Sequence, residues 1–173
     1  MKLYGRLEFV LMLTALLASV VLLYPGLWGG FTLDDYPNLQ GLAHINEQGF
    51  LNYVLAGVAG GAGRAISYFS FALQASSWPD NPFPFKLVNL TIHLVNIILV
   101  YVLVRQLILR NQDKSQAGFI IIPVVIATLW GIHPLQISSV FYVVQRMTLL
   151  SSTFVLLSCC LYLWIRNTSI KNP

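Results

Sequence analysis

Acidic side chains are scarce in this chain. Its 173 residues include only six aspartates and glutamates, and charged residues of both signs make up 9% of the sequence. Soluble domains usually carry about 25% charged residues, so a composition that is 57% hydrophobic excludes an ordinary soluble domain. The chain is therefore predicted to be an all-α integral membrane protein, with about four transmembrane helices of about 20 apolar residues each.

Zinc, redox and nucleotide motifs are also missing. The two cysteines, Cys159 and Cys160, are adjacent within an apolar run, and neighbouring thiols rarely close an unstrained disulfide. The sequence contains no CxxC pair and no Cys/His spacing typical of a metal site. The glycine-rich stretch 56–63 is not followed by the Gly-Lys-Ser/Thr of a P-loop.

Hydropathy predicts the positions of four spans within a single membrane module, residues 1–173. The spans are at residues 9–28, 85–109, 117–132 and 147–164. The last apolar stretch begins earlier, at residue 137, but 137–164 would form a helix about 42 Å long at ~1.5 Å per residue. The hydrocarbon core is only about 30 Å thick, so the fourth span is predicted to start near Met147.

Basic residues predict the orientation of these spans. Seven lie beside the termini or the 110–116 turn, and three lie on the opposite side. The positive-inside rule then places both termini in the cytoplasm and the loop 29–84 and the turn 133–146 in the periplasm or lumen. A bacterial inner membrane is the expected location. Topology explains the net charge of +4 without a nucleic-acid partner.

The outer loop, residues 29–84, is too long for a plain connection. Its apolar patches, including residues 50–55 and 64–73, contain several aromatic residues. Short interfacial helices lying on the bilayer are expected for such patches. Membrane lipid is therefore an expected partner of this loop.

Two of the six carboxylates, Asp34 and Asp35, are adjacent just after the first predicted span. Like charges at a membrane surface are unfavourable unless a cation, a proton or hydrogen bonds hold them, so this pair is a functional candidate. It could supply a general base, or it could bind a divalent cation such as Mg²⁺ or Mn²⁺. The alternative is a structural cap of a turn or helix.

Three other side chains on the outer face could contact a phosphate. Arg64 and Arg146 lie in apolar surroundings, and a guanidinium group can bind a lipid phosphate through two nitrogens. Snorkelling towards headgroups is the alternative, and it requires no specific ligand. His133, just before Pro134 at a span end, could ligate a metal, contact a phosphate or cap a helix.

The second span carries one polar stripe, formed by Asn89, His93 and Asn96. Hydrogen bonds between packed spans are the expected role of such a stripe. A conduction path would need more polar residues, facing one another across several helices.

The outer-face motifs together resemble those of GT-C-type polytopic glycosyltransferases that use lipid-linked sugars. The most similar subgroup is the transmembrane and tetratricopeptide-repeat O-mannosyltransferase-like proteins and their bacterial relatives. The first outer loop of that family is similar to Asp34-Asp35-Tyr-Pro-Asn-Leu. Three later segments follow in the family's order: Arg64-Ala-Ile-Ser-Tyr-Phe-Ser-Phe-Ala-Leu, Lys86-Leu-Val-Asn-Leu-Thr-Ile-His-Leu-Val-Asn, and His133-Pro-Leu-Gln continued by Tyr142-Val-Val-Gln-Arg-Met.

The resemblance implies transfer of a sugar from a polyprenyl-phosphate donor to an acceptor on the periplasmic or lumenal face. Asp34 or Asp35 would deprotonate the acceptor or hold a metal ion, and Arg64 matches the loop arginine. The second outer motif, near the departing lipid phosphate, is matched by His133, Gln145 and Arg146.

The chain departs from this family in its number of spans, since GT-C enzymes have roughly twice as many or more. An N-terminal module is therefore expected, incomplete alone, and completed by a larger membrane partner or left as a truncated gene product. The alternative is a non-enzymatic four-helix membrane scaffold or accessory subunit.

Overall fold

The computed structural model of the chain describes residues 2–55, 64–110 and 118–169, with side chains described for 5–55, 64–108 and 121–168. The glycine-rich stretch 56–63 lies outside the described residues. So do nearly all of the predicted cytoplasmic turn and the last four residues of the chain.

Within the described ranges the chain is helical and contains no β-strand. The α-helices are α1 (Lys2–Leu23), α2 (Asp35–Leu39), α3 (Ile45–Gln48), α4 (Phe50–Leu55), α5 (Ala65–Ala72), α6 (Phe83–Arg110), α7 (Gly118–Gly131), α8 (Gln136–Phe141) and α9 (Arg146–Ser169). Short 3₁₀ helices cover Tyr24–Trp28, Gln40–His44, Ala75–Ser77 and Val143–Gln145.

Three helical segments of the described chain are long and apolar enough to cross a membrane: Gly5–Trp28, Phe83–Ile108 and Val143–Thr168. The chain is therefore consistent with an integral membrane protein. These segments contain most of the predicted first, second and fourth spans. The third segment begins at Val143 rather than at Met147, because a 3₁₀ helix continues directly into α9.

The predicted third span, residues 117–132, corresponds to a shorter helix. α7 has 14 residues and contains Pro123. At ~1.5 Å per residue it is about 21 Å long, less than the hydrocarbon core of about 30 Å. Its apolar part, Ile121–Gly131, is correspondingly shorter than the three candidate spans. A fourth span stays a prediction.

The chain divides into two compact units. The first comprises Met1–Leu22, His93–Gln136 and Ser151–Pro173. Its buried core contains Met12, Ile97, Val100 and Ala127. α6 and α7 approach closely at Gly131 in this unit. A Cβ atom added to Gly131 would collide with the side chain of Ile97, so glycine allows this approach.

Hydrogen bonds between helices of the first unit involve the polar stripe. His93 Nε2 lies 2.8 Å from the carbonyl oxygen of Gly131 in α7, and the His93 ring stacks on Trp130. In α9, the hydroxyl of Thr153 donates to Asn96 Oδ1 at 2.7 Å. These contacts confirm the interhelical role predicted for His93 and Asn96.

The second unit comprises Leu23–Ile92 and Ile137–Leu150. Its core combines side chains from the 29–84 region with others from the beginnings of the second and third candidate spans. The buried members are Leu39, Leu42, Tyr53, Val54, Tyr68, Phe71, Ala72, Phe85, Val143, Val144 and Met147. The long loop therefore folds into a compact body, and this body contains the aspartate pair.

Candidate active site

The two adjacent aspartates have opposite environments. Asp35 is the first residue of α2 and is fully buried, whereas Asp34 precedes the helix and is exposed. Successive side chains at a helix start point about 100° apart, since the α-helix has 3.6 residues per turn. The register that turns Asp35 into the core therefore leaves Asp34 outside.

The Asp35 carboxylate connects two distant segments. Its Oδ2 atom accepts hydrogen bonds from the backbone N–H and the hydroxyl of Thr32, both at 2.9 Å. Its Oδ1 atom accepts one from the backbone N–H of Val144 at 2.8 Å, across 109 positions of sequence. Asp35 therefore has the structural role that the sequence offered as the alternative to catalysis. It caps the turn that contains Thr32, and it also bonds this turn to the segment that contains Val144.

Asp34 lines a groove with a volume of about 420 Å³. The other residues that line it are Phe31, Thr32, Leu33, Tyr36 and Tyr142. The backbone carbonyl of Asp34 accepts a hydrogen bond from the Asn38 side chain at 2.7 Å. Its carboxylate has no hydrogen-bond partner among the described residues, so it can accept a proton or a hydrogen bond from a molecule in the groove.

Two aromatic rings that line this groove, those of Phe31 and Tyr36, contact each other and also Trp78, which is not among the lining residues. The Phe31 ring centroid lies 4.8 Å from that of Trp78 and 6.3 Å from that of Tyr36, with edge-to-face geometry. Tyr36 and Trp78 also contact each other at 5.8 Å. Aromatic contacts of this kind hold side chains in defined positions. A mostly apolar concavity with one charged group is the usual composition of a small-molecule site.

Arg146, the first residue of α9, is fully buried. An arginine has five N–H donors, and all five are used here. The acceptors are Asn89 Oδ1 (2.9 Å), the carbonyl and hydroxyl oxygens of Ser70 (3.1 Å each), Gln74 Oε1 (2.8 Å) and the Phe85 carbonyl (2.8 Å). No donor remains for the lipid phosphate that the sequence predicted at Arg146. The geometry favours a role as a clamp between α5, α6 and α9.

Arg64 differs from Arg146 in its exposure. It precedes α5 and is exposed, and its Nη1 atom lies 3.2 Å from the sulfur of Met147. Its other N–H groups have no acceptor within the part of the chain that the structure describes. Arg64 is therefore the predicted phosphate ligand that keeps donors available.

The remaining predicted ligands lie in different units. Gln145, in the second unit, is half-buried, and its Oε1 atom accepts a hydrogen bond from the Thr148 hydroxyl at 2.7 Å. His133 belongs to the first unit. It is exposed beyond the end of α7, and its Nδ1 atom accepts a hydrogen bond from the backbone of Leu135 at 3.3 Å.

Residues of all four quoted motifs meet at the segment 143–147, which Asn89 of the third motif contacts through Val143 and Arg146. Asp35 bonds to Val144, and Arg64 contacts Met147. Gln145 and Arg146 lie between these two positions. Five of the six predicted site residues therefore belong to the second unit, and four of them lie on this segment or bond to it.

Lys86 is a buried cation that begins one of the quoted motifs but is not one of the predicted site residues. Its ammonium group donates to the carbonyls of Gly29 and Gly30 at 2.8 and 2.9 Å. Lys86, Asp35 and Arg146 are all buried, and none forms an ion pair with a described residue. Buried charges require hydrogen bonds in place of water, so these three groups join chain segments. In the sequence, the sign of this role was a single lysine at the start of an apolar span.

Tyr53 is another ionisable group buried in this core. Burial, with a smaller contribution from the neighbouring Tyr68, raises the pKa of Tyr53 above its ordinary value. Its hydroxyl stays protonated at neutral pH and cannot act as a general base. The exposed carboxylate of Asp34 is the better candidate.

The described residues offer few ligands for a divalent cation. No group of three or more His, Cys, Asp or Glu side chains lies together in them. Both oxygens of Asp35 already accept hydrogen bonds in a buried position, so only Asp34 presents an open carboxylate. The folded pair does not fit a two-carboxylate site, and a requirement for Mg²⁺ or Mn²⁺ stays a prediction.

Replacing Asp35 by asparagine is expected to lower the free energy of unfolding by about 2 kcal/mol, because hydrogen bonds to a charged group contribute about 1.5–3 kcal/mol. The asparagine NH₂ group would face the N–H of Thr32 or Val144, both of which require an acceptor. Thermal unfolding of the detergent-purified protein measures the effect. Asp80→Asn, at an exposed turn, is the matched control, and equal unfolding temperatures for the two variants would contradict the structural role.

No protein-family model, curated protein or solved structure matches this chain. The similarity to GT-C enzymes therefore depends on the motifs quoted above. The geometry of the second unit is the independent basis for a functional proposal.

Proposed function

We propose that this chain is the N-terminal module of a membrane glycosyltransferase that takes its sugar from a polyprenyl-phosphate donor. One observation carries the proposal: the Asp34 carboxylate is exposed and without a described partner in an aromatic-lined groove. The neighbouring Asp35 holds the turn that presents it. The identity of the donor, a sugar on a polyprenyl phosphate, is proposed from the resemblance of the ordered outer-face motifs.

In the proposed reaction Asp34 is the general base. An acceptor hydroxyl oxygen attacks the anomeric carbon of the donor sugar and forms the new glycosidic bond, while its proton passes to the Asp34 carboxylate. The bond between the anomeric carbon and the phosphate oxygen breaks, and the electron pair leaves with polyprenyl phosphate. General-base catalysis of this kind contributes about 10²- to 10⁴-fold in rate.

Arg64 is proposed to stabilise the departing phosphate. The negative charge on a leaving phosphate must be met by a fixed donor where water is partly excluded, and Arg64 keeps N–H groups available for it. Arg146 has the structural role of holding α5 and α6 against the segment that carries Val144. His133 and Gln145 remain proposed phosphate contacts from the second outer motif.

The proposed topology has four spans and places the groove outside the cytoplasm. α7 would be the third of these spans, and the turn 110–116 would lie in the cytoplasm with both termini. The uneven distribution of lysine and arginine supports this orientation. The loop 29–84, with short interfacial helices, would then face the periplasm of a bacterial inner membrane, or a lumen.

A transfer assay in membranes tests the enzymatic proposal. Membranes from the chain's native cells, which also contain any larger partner that completes the module, are expected to move radiolabelled sugar from polyprenyl-phosphate mannose or glucose into a protein or lipid acceptor, above the level of membranes from cells that lack the chain. Equal label transfer by the two membrane preparations, with either donor, would contradict the proposal. A larger membrane protein that co-purifies with the chain and transfers label equally well without it would instead support an accessory subunit.

A further inference from the structure

Helix α5 is apolar on two opposite sides. Its inner side contains Ser67, Tyr68, Phe71 and Ala72, all buried. On the other side, Ile66, Phe69 and Leu73 are 58%, 47% and 66% exposed. At about 100° per residue, these three side chains lie within about 60° of one another. They are called here the outer face of α5.

Helix α4 extends the apolar surface. The Phe50 ring makes an edge-to-face contact with Phe69, with ring centroids 5.6 Å apart. Leu51 and Leu55 of α4 are 69% and 66% exposed. Contiguous exposed apolar surface of this kind marks a site that contacts another apolar phase or a partner.

The inner side of α5 packs on the beginnings of two candidate spans. Phe71 shares a core with Phe85 and Met147, which lie in the first turns of the segments starting at Phe83 and Val143. Arg146 reinforces this packing through Ser70, on α5. If these segments cross a membrane from their first turns onward, a helix held against those turns lies near the surface of the bilayer.

We propose that the outer face of α5 is embedded in the interfacial layer of the bilayer, with lipid acyl chains covering Ile66, Phe69 and Leu73. A helix in this position buries its apolar face about 5–10 Å into the boundary between headgroups and acyl chains. This inference requires that the chain spans a membrane, and it does not depend on sugar transfer.

Spin-label accessibility in the full-length chain tests the proposal. Single cysteines replace Phe69 or Leu73 in a Cys159→Ser, Cys160→Ser background, and each is labelled with a nitroxide after reconstitution into phosphatidylcholine–phosphatidylglycerol vesicles. Collision rates are then measured with oxygen, which partitions into the bilayer, and with a water-soluble nickel chelate. Asp80→Cys, at an exposed polar position of the same unit, is the matched control.

The labels at residues 69 and 73 are expected to show a severalfold higher ratio of oxygen to nickel collisions than the label at residue 80. A nickel accessibility equal to that of residue 80 would place the face in water and overturn the proposal. Low accessibility to both reagents would mean that protein covers the face, which also overturns it. Circular dichroism confirms that each labelled variant is folded, and Ile66→Cys provides a third position on the same face.

Discussion

Replacing Arg146 by methionine should lower the free energy of unfolding by about 3–5 kcal/mol, because it leaves several buried oxygens without a donor and each such group costs about 1–3 kcal/mol. Methionine retains an unbranched side chain at this position but lacks the guanidinium group. The change in stability therefore reports mainly the hydrogen bonds of that group. The amide oxygens of Asn89 and Gln74 would lose their charged donor in a buried site. A domain is typically stable by only about 5–15 kcal/mol, so the variant should be close to unfolding.

Thermal unfolding in detergent measures this effect, and the unfolding temperature should fall by about 10 °C or more. Arg166→Ala, at an exposed arginine of the same helix, is the control and should unfold at the wild-type temperature. Arg146→Lys should be intermediate, because lysine keeps the charge but has only three donors and no planar fork. Unchanged stability of Arg146→Met would refute the clamp.

Replacing Asp34 by asparagine should reduce sugar transfer by about 10²- to 10⁴-fold, the usual contribution of a general base. Asparagine keeps the size of the side chain but cannot take a proton from the acceptor hydroxyl. The unfolding temperature should not change, because the Asp34 carboxylate has no partner among the described residues. Initial rates of label transfer, measured at equal amounts of inserted protein, give the comparison.

Two outcomes separate catalysis from structure in this experiment. Asp80→Asn, at another exposed aspartate, should transfer sugar at the wild-type rate. Asp35→Asn should lower the unfolding temperature, whereas Asp34→Asn should not. Any loss of sugar transfer in Asp35→Asn should follow from distortion of the groove. If Asp34→Asn keeps full activity, Asp34 is not the base, even if the chain transfers sugar.

The aspartate pair illustrates how far sequence can assign roles. Both residues are predicted site residues. The fold gives the turn cap to Asp35, and the general base stays a proposal for Asp34. Two adjacent identical side chains cannot be distinguished by residue type. The register of α2 and the position of the Val144 N–H distinguish them, and both depend on a contact 109 residues away.

Arg146 shows the opposite limit. An arginine in apolar sequence near a membrane surface suggests a phosphate ligand, because the sequence shows the charge but not its partners. The acceptors are supplied by residues 57 to 76 positions earlier in the chain. Only the folded structure, which brings these acceptors together, shows that every N–H group of Arg146 already has a hydrogen-bond partner.

Hydropathy is a property of consecutive residues, so the all-helical membrane class and three of the four predicted spans could be obtained from local composition. The third predicted span, residues 117–132, stays a prediction, because α7 has only 14 residues and is shorter than the hydrocarbon core is thick. Burial, by contrast, depends on contacts between residues distant in the chain. The folded second unit therefore decides that Asp35, Lys86 and Arg146 are internal, and that Asp34 and Arg64 are exposed and available to a ligand.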